Sequence, residues 1–221
     1  MITRDFLIKV CGMRDAENIR AVEQLSTVNC QLSIDWMGFI FYPKSSRYVS
    51  DRPAYLPQKC KRVGVFVDAT IEDIRQHFAD YSLDIIQLHG HESPDFIRSF
   101  RSLFGDSIAI IKAFNIATKE DLATTASYAG LVDYFLFDTK GPSVGGNGEK
   151  FDWSVLEAYN GDTPFLLSGG IGPDDAETLN SQLSTLNSHC IGIDLNSRFE
   201  IEPGIKDIVE LKTFLNYDKQ D

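Results

Sequence analysis

Short, almost continuously apolar runs alternate with segments of helical periodicity along the chain. Eight of the runs read as buried strands and occupy residues 8–13, 35–41, 62–68, 84–90, 108–114, 134–138, 165–171 and 190–195. Helices are predicted at residues 15–25, 70–81, 93–104, 118–129, 152–159, 174–186 and 205–215, where apolar residues recur every three or four positions. Residues 52–61 contain Pro53 and Pro57, so we expect only a short or irregular second helix there.

This alternation predicts an α/β fold, a single (β/α)8 TIM barrel domain over residues 1–221. Apolar strands that are each followed by a helix are typical of a parallel sheet covered by helices, and 221 residues suit a compact barrel. The alternative is an open doubly wound sheet. Small or polar residues on several strands favour closure, because a barrel interior is crowded; they are Gly38, Gly64, Lys112 and Gly192.

The chain is acidic, with 32 Asp and Glu against 21 Lys and Arg, a net charge of −11. This balance argues against nonspecific binding to nucleic acid or to an anionic membrane, but not against a small phosphorylated substrate. The four cysteines are far apart and form no CxxC pair, and no apolar run approaches membrane-spanning length. We therefore expect a reduced, cytoplasmic protein, either a monomer or a homodimer.

Ionisable or nucleophilic side chains stand where the predicted strands end, which is the active face of such barrels. They are Cys11, Arg47, Asp68, His89, Asp138, Ser168 and Asp194. Each also has a structural interpretation: Cys11 as a buried thiol, Asp138 as a partner of Lys140, and Arg47 as a solvated charge. His89 has no second His or Cys at ligand spacing, so no metal site is expected.

Two glycine-rich stretches follow later strands. Gly169 and Gly170 come after the seventh strand, where backbone N–H groups commonly bind a phosphate, although glycines there also suit a tight turn. Residues 139–150 hold several glycines and a proline, and we expect a mobile loop that closes over ligand.

Six motifs occur in one order along the chain. They are IKVCGM at 8–13, GFIF with KSSRY at 38–41 and 44–48, VGVFV at 63–67, QLHG at 87–90, FDTK with GGNGEKFDW at 137–140 and 145–153, and LSGG at 167–170. Together they resemble the phosphoribosylanthranilate isomerase family of tryptophan biosynthesis. The resemblance implies an Amadori rearrangement of N-(5-phosphoribosyl)anthranilate to 1-(2-carboxyphenylamino)-1-deoxyribulose 5-phosphate, with neither metal nor organic cofactor.

The resemblance also implies roles for individual residues. Cys11 matches the general base, Asp138 the general acid, and Arg47 the group that holds the anthranilate carboxylate. The remaining substrate contacts are His89 and Asp194, and the phosphate ligands are Gly169, Gly170, Asn196 and Ser197. What activates the Cys11 thiol is open between Lys9 and the positive Schiff base of the substrate.

One departure from the family lies after the eighth strand, where Arg198 occupies a place that is usually glycine. This shifts the expected phosphate contacts there toward the Asn196 and Ser197 side chains, with Arg198 facing phosphate or solvent. Two other functions stay open at this point: a metal-dependent phosphosugar epimerase, for which His89 and Asp68 are a thin ligand set, and a non-catalytic barrel that binds phosphorylated ligands.

Overall fold

Eight parallel strands form a closed barrel in chain order, which confirms the predicted fold class. The computed structural model describes residues 6–25, 33–139, 153–179, 181 and 188–216. The barrel strands are β1 (Leu7–Val10), β2 (Trp36–Ile40), β3 (Lys61–Phe66), β4 (Ile85–Leu88), β5 (Ala109–Ile116), β6 (Tyr134–Thr139), β7 (Phe165–Ser168) and β8 (Cys190–Leu195). In the part of the chain that the structure describes, no helix is both long and apolar enough to cross a membrane.

The outer layer contains α-helices and 3-10 helices. The α-helices are α1 (Ala16–Leu25), α2 (Ile71–Tyr81), α3 (Pro94–Phe104) and α4 (Ile208–Leu215). The 3-10 helices are Lys119–Tyr128, Trp153–Ala158, Pro173–Asp175 and Ser197–Phe199. Residues 176–179 are also helical, and much of the rest of the helix predicted at 174–186 lies outside the described residues.

The segment predicted as a helix at 118–129 is a 3-10 helix. Its side-chain hydroxyls explain the tighter winding: Thr124, Thr125 and Ser127 each donate to the carbonyl oxygen three residues earlier, at 2.8, 2.6 and 2.9 Å. Such local bonds compete with the regular helical ladder.

Residues 41–60, where the sequence predicted only a short or irregular second helix, contain no α-helix. The buried Glu23 carboxylate of α1 organises this segment instead. It accepts hydrogen bonds from the backbone N–H groups of Gln58 and Lys59 at 2.5 and 2.6 Å, and from the Tyr55 hydroxyl.

The barrel interior is packed at its amino-terminal end by one apolar cluster: Trp36, Val63, Ile85, Ile111, Ala113, Leu136 and Leu166. Because Ile111 and Ala113 face inward, Lys112 between them faces the helical layer, where it pairs with Glu92 at 3.2 Å. Gly64 likewise lies between inward-facing residues and approaches the side chain of Leu83 in the outer core. The expectation that Gly64 and Lys112 line the interior was therefore wrong.

Barrel closure joins β1 to β8 in parallel register, with Lys9 opposite Asp194. After β8 the chain forms a small antiparallel hairpin of β9 (Glu200–Glu202) and β10 (Ile205–Lys206), which the sequence did not predict. The last helix consequently begins at Ile208 rather than at residue 205. Asp207 caps it by accepting from the N–H groups of Val209 and Glu210.

Candidate active site

The Cys11 thiol lies beside a buried ion pair at the carboxyl end of the barrel. Cys11 follows β1 and is 3% exposed. Gly38 on β2 leaves room for the sulfur, because a Cβ atom there would lie only 2.7 Å from Sγ. Lys9, two residues earlier, donates from Nζ to Oδ1 of Asp194 at 2.8 Å. Ser168 Oγ on β7 donates to the other oxygen of Asp194 at 3.4 Å.

Burial and the ion pair act on the thiol in opposite directions. Burial is the main reason why the pKa of Cys11 lies above its ordinary value, and Asp194 adds to the effect, while the ammonium groups of Lys9 and Lys206 oppose it. Burial by itself would lower the pKa of Lys9, but Asp194 and Cys11 outweigh it and raise that pKa. Cys11 is thus a neutral thiol at rest beside a stable cation.

Asp138 lies next to His89, across the barrel mouth from Cys11. Its Oδ2 atom lies 3.7 Å from Nε2 of His89, and both side chains are partly exposed. The Gln87 amide nitrogen lies 2.9 Å from Nδ1 of His89.

Arg47 is held by a partner that the sequence did not indicate. Its Nε atom lies 2.9 Å from both carboxylate oxygens of Glu200, and Nη2 lies 2.6 Å from Oε2. Gly12 lies beneath this contact in a left-handed conformation, with φ of +78°. A Cβ atom on Gly12 would lie 2.7 Å from Cδ of Arg47 and 2.8 Å from Oδ1 of Asn196. Glycine is therefore required beside the thiol.

The turn after β7, where the sequence predicts an anion site, contains two glycines in the left-handed conformation. Gly169 and Gly170 have φ of +94° and +68°, and no atom lies within 4 Å of a Cβ position on Gly170. The Arg198 guanidinium reaches over from the turn after β8 and lies against Gly172, with Nε 2.7 Å from the position of a Cβ atom. A cationic side chain thus borders this turn.

The turn after β8 is fixed from below by a buried lysine. Lys206 Nζ donates to the side-chain and backbone oxygens of Asn196 at 2.9 and 3.3 Å. Ser197, the next residue, is exposed and begins the 3-10 helix.

The metal site and the glycine-rich loop considered in the sequence analysis involve residues away from these contacts. Asp68 does not approach His89; it pairs with Nδ1 of the exposed His91 at 3.0 Å. Among the described residues, no group of three or more His, Cys, Asp or Glu is placed to hold a metal ion. The glycine-rich loop at 145–148 lies outside the described residues.

Sequence reasoning missed Gln87, Glu200 and Lys206 as members of the site. Gln87 belongs to a recognised motif, and its inward parity on β4 was a usable signal. Glu200 and Lys206 lie in a hairpin with no periodic pattern, and neither charge could be assigned a partner without the fold.

Comparison with known proteins identifies the family of this chain. A family model described as N-(5'phosphoribosyl)anthranilate (PRA) isomerase matches residues 8–217. The chain is 47% identical over 214 residues to the N-(5'-phosphoribosyl)anthranilate isomerase of Phocaeicola vulgatus, covering 97% of this chain and 98% of that protein. The isomerase of Parabacteroides distasonis is 49% identical over 215 residues, with coverage of 95% and 91%.

Solved structures agree. The phosphoribosyl anthranilate isomerase of Thermotoga maritima superposes with a TM-score of 0.76 at 30% identity, covering 97% of this chain and 98% of that one. Another isomerase structure, in complex with reduced 1-(o-carboxyphenylamino)-1-deoxyribulose 5-phosphate, gives a TM-score of 0.73 at 27% identity, with coverage of 97% and 99%. The closed barrel and these relatives agree, and the chain belongs to the phosphoribosylanthranilate isomerase family.

Proposed function

We propose that this protein isomerises N-(5'-phosphoribosyl)anthranilate in tryptophan biosynthesis, the activity of its family, with Cys11 as general base and Asp138 as general acid. The observation that carries the proposal is the buried Cys11 thiol beside the Lys9 ammonium, at the same end of a closed barrel as Asp138. Each positioned acid or base contributes about 10²–10⁴-fold to such a reaction.

Asp138 serves the first step, the opening of the ribose ring. Its protonated carboxyl group donates a proton to the ring oxygen while the C1′–O bond breaks, and the anilino nitrogen supplies the electron pair. The product is a positively charged Schiff base between C1′ and nitrogen. His89, with its Nε2 atom 3.7 Å from Oδ2, orients the carboxyl group and stabilises the carboxylate that remains.

Cys11 serves the second step. Its thiolate removes the proton from C2′, and the electrons of the C2′–H bond form a C1′=C2′ double bond and neutralise the nitrogen. The resulting enolamine becomes the product by protonation at C1′ and loss of the C2′ hydroxyl proton. Each step moves only protons and electron pairs within the substrate and between it and the two side chains. The reaction therefore needs no external oxidant or reductant.

Two positive charges favour the thiolate when it is needed. In the ligand-free protein Lys9 is an ammonium because its pKa is raised, and its charge lowers the pKa of Cys11. The Schiff base adds a second positive charge only after ring opening. The buried thiol therefore ionises most readily at the point where the C2′ proton is acidic.

The two ends of the substrate fit the remaining residues. Arg47 binds the anthranilate carboxylate through its guanidinium. The phosphate lies between the backbone of Gly169 and Gly170 and the side chains of Asn196 and Ser197. Arg198 beside Gly172 supplies a cation to that phosphate in place of the family's glycine. Asp194, predicted from the sequence as a substrate contact, is buried and ion-paired with Lys9, and in this proposal it acts through that lysine.

The test follows the loss of anthranilate fluorescence as freshly made substrate is consumed. Wild-type protein is expected to turn the substrate over with or without EDTA, and Cys11→Ala and Asp138→Asn each to lower kcat by about 10²–10⁴-fold. Cys60→Ala is the matched control, because Cys60 precedes β3 at the other end of the barrel. No turnover by the wild type would refute the isomerase activity, and loss of turnover with EDTA would contradict a mechanism without metal.

We also propose that the protein works in the cytoplasm, where amino-acid biosynthesis takes place, as a monomer or a homodimer. A solved Thermotoga maritima relative is described as a dimeric enzyme that was converted to monomers. Sedimentation equilibrium across a range of protein concentrations distinguishes the two states.

A further inference from the structure

Among the described residues, the Arg47 guanidinium makes hydrogen bonds along one of its edges only. In the described part of the chain, its side-chain hydrogen bonds run from Nε and Nη2 to the Glu200 carboxylate. A guanidinium has five N–H groups in a rigid plane. The edge formed by Nη1 and the second N–H of Nη2 is a parallel pair of donors, the geometry that binds a carboxylate through both oxygens.

The Glu200 carboxylate is buried and accepts hydrogen bonds from three residues. Its side chain is 4% exposed, and besides Arg47 it accepts from Lys206 Nζ at 2.6 Å and from the Gly204 N–H at 3.2 Å. Burial by itself favours the neutral acid, but the bonds from Arg47 and Lys206 outweigh it and lower the pKa of Glu200. Glu200 is thus an anion in a fixed position.

Lys206 completes a charged cluster with one surplus positive charge. Its Nζ atom is fully buried and faces three oxygens: Glu200 Oε1, Asn196 Oδ1 and the Asn196 carbonyl. An ammonium has three N–H donors and a neutral amine has two, so the three acceptors favour the charged form, as does Glu200, against the burial that lowers the pKa of Lys206. Arg47 and Lys206 against Glu200 leave one net positive charge. One carboxylate from a ligand balances it.

We propose that Glu200 is a positioning residue for substrate recognition: it fixes the inner edge of Arg47 so that the outer edge receives the anthranilate carboxylate. This inference deepens the proposed function and rests on it. The hairpin of β9 and β10 is therefore part of the binding site, although it contacts the ligand only through Arg47. Because Lys206 also holds Asn196, the same hairpin connects the carboxylate end of the site with the phosphate end.

The test compares two ligands that differ in one group. The first is the reduced product with its 2-carboxyphenyl ring, and the second is its phenyl counterpart without the carboxylate. Calorimetry measures the affinity of both for wild type, Glu200→Gln, Glu200→Asp and Glu202→Gln. Glu202, which is exposed on the same hairpin, is the matched control.

Glu200→Gln is expected to weaken the carboxylate ligand about tenfold, because a neutral amide accepts from Arg47 on one atom only, and to change the affinity of the phenyl ligand less than about twofold. In turnover, KM rises by the same factor while kcat changes little. Glu200→Asp keeps the charge beside Lys206 but is one methylene shorter, so it folds and still loses affinity for the carboxylate ligand. In Arg47→Met, the further change Glu200→Gln has no additional effect on affinity.

Equal losses for both ligands would overturn the proposal, since they indicate a general structural role. Unchanged affinity in Glu200→Gln, or additive losses with Arg47→Met, would overturn it as well. Failure of the proposed function looks different: wild-type protein then fails to turn over the substrate.

Discussion

The proposed base, Cys11, lies between opposing electrostatic influences at the level of single residues. Burial and Asp194 favour the neutral thiol, whereas Lys9 and Lys206 favour the thiolate. Of the charged neighbours, Lys9 has the largest effect. The resting enzyme therefore carries little thiolate near neutral pH, and its activity should depend on pH through this group.

We expect the thiolate fraction of Cys11 to rise with pH, with a midpoint above the ordinary thiol pKa of about 8.5. The sign follows from the active form: the thiolate is the base, and its fraction grows as pH passes through a raised pKa. The double variant Lys9→Met/Asp194→Asn should move this midpoint to still higher pH, because the stronger, cationic influence is lost. The measurement is the ultraviolet absorbance of the thiolate from pH 6 to 10, taken as the difference between each protein and its Cys11→Ala counterpart.

Removing both members of the pair avoids a buried carboxylate without its partner. Lys61→Met, at the exposed start of β3, is the control for loss of a lysine. A midpoint that does not move in the double variant would show that Lys9 does not promote ionisation of Cys11.

Some residues of the site could be predicted from the sequence, and others could not. Cys11 and Asp138 were candidates because they end apolar strands, and parallel strands end on one side of a barrel, whereas their catalytic roles came from the family resemblance. The contact of Arg47 with Glu200 spans 153 positions in the chain, and no local pattern carries such information. Charged pairs of this kind become visible only when the fold brings distant elements together.

At the scale of elements, the tight junction after β1 depends on Gly12. Its φ of +78° excludes most side chains, and Arg47 and Asn196 lie where a Cβ atom would be. Two effects of a substitution at Gly12 are therefore expected, one from the backbone and one from the displaced neighbours.

Gly12→Ala and Gly130→Ala form a matched pair for separating these effects. Gly130 has a similar φ of +73°, but no atom lies within 4 Å of its Cβ position. Both variants should lose about 1–2 kcal/mol of unfolding free energy from the left-handed conformation, measured with urea. Only Gly12→Ala should also raise KM, because Arg47 and Asn196 must move. Equal KM values in the two variants would contradict this explanation.

The strands could be predicted from the sequence, whereas the 3-10 helix and the last hairpin could not, and the reasons are physical. All eight strands are buried apolar runs, which a sequence displays directly. The 3-10 winding of Lys119–Tyr128 depends on side-chain hydroxyl bonds to the backbone. The sequence does not show whether such bonds or the α-helical propensity will prevail. The hairpin of β9 and β10 has only five residues in its strands, too few for a periodic signal.

At the scale of the whole molecule, two partly buried thiols link stability to alkaline pH. Burial raises the pKa of both Cys60 and Cys190 to about 12. In the unfolded chain a thiol ionises near a pH of about 8.5. Between these values the folded protein binds more protons than the unfolded one, so the free energy of unfolding falls as pH rises.

The slope should be about 1.4 kcal/mol per pH unit for each thiol above pH 9. Cys190→Ala should therefore give a shallower decline than wild type, and Cys60→Ala/Cys190→Ala a shallower one still. Urea unfolding under reducing conditions at pH 7.5, 9 and 10 measures this. Slopes are compared rather than absolute values, since a core substitution also changes stability at neutral pH. Parallel slopes in all three proteins would refute the linkage.

The Lys9–Asp194 pair has one more consequence, which concerns the order of assembly on the ribosome. Its members are 185 positions apart, on the first and the last strand of the barrel. During synthesis β1 emerges with a lysine that must be buried, and its counterion follows 185 positions later. A buried ammonium without a counterion is strongly disfavoured, so β1 stays hydrated until β8 arrives. Completion of the barrel and completion of the acid–base site are then the same late event, and no partly made chain holds a working site.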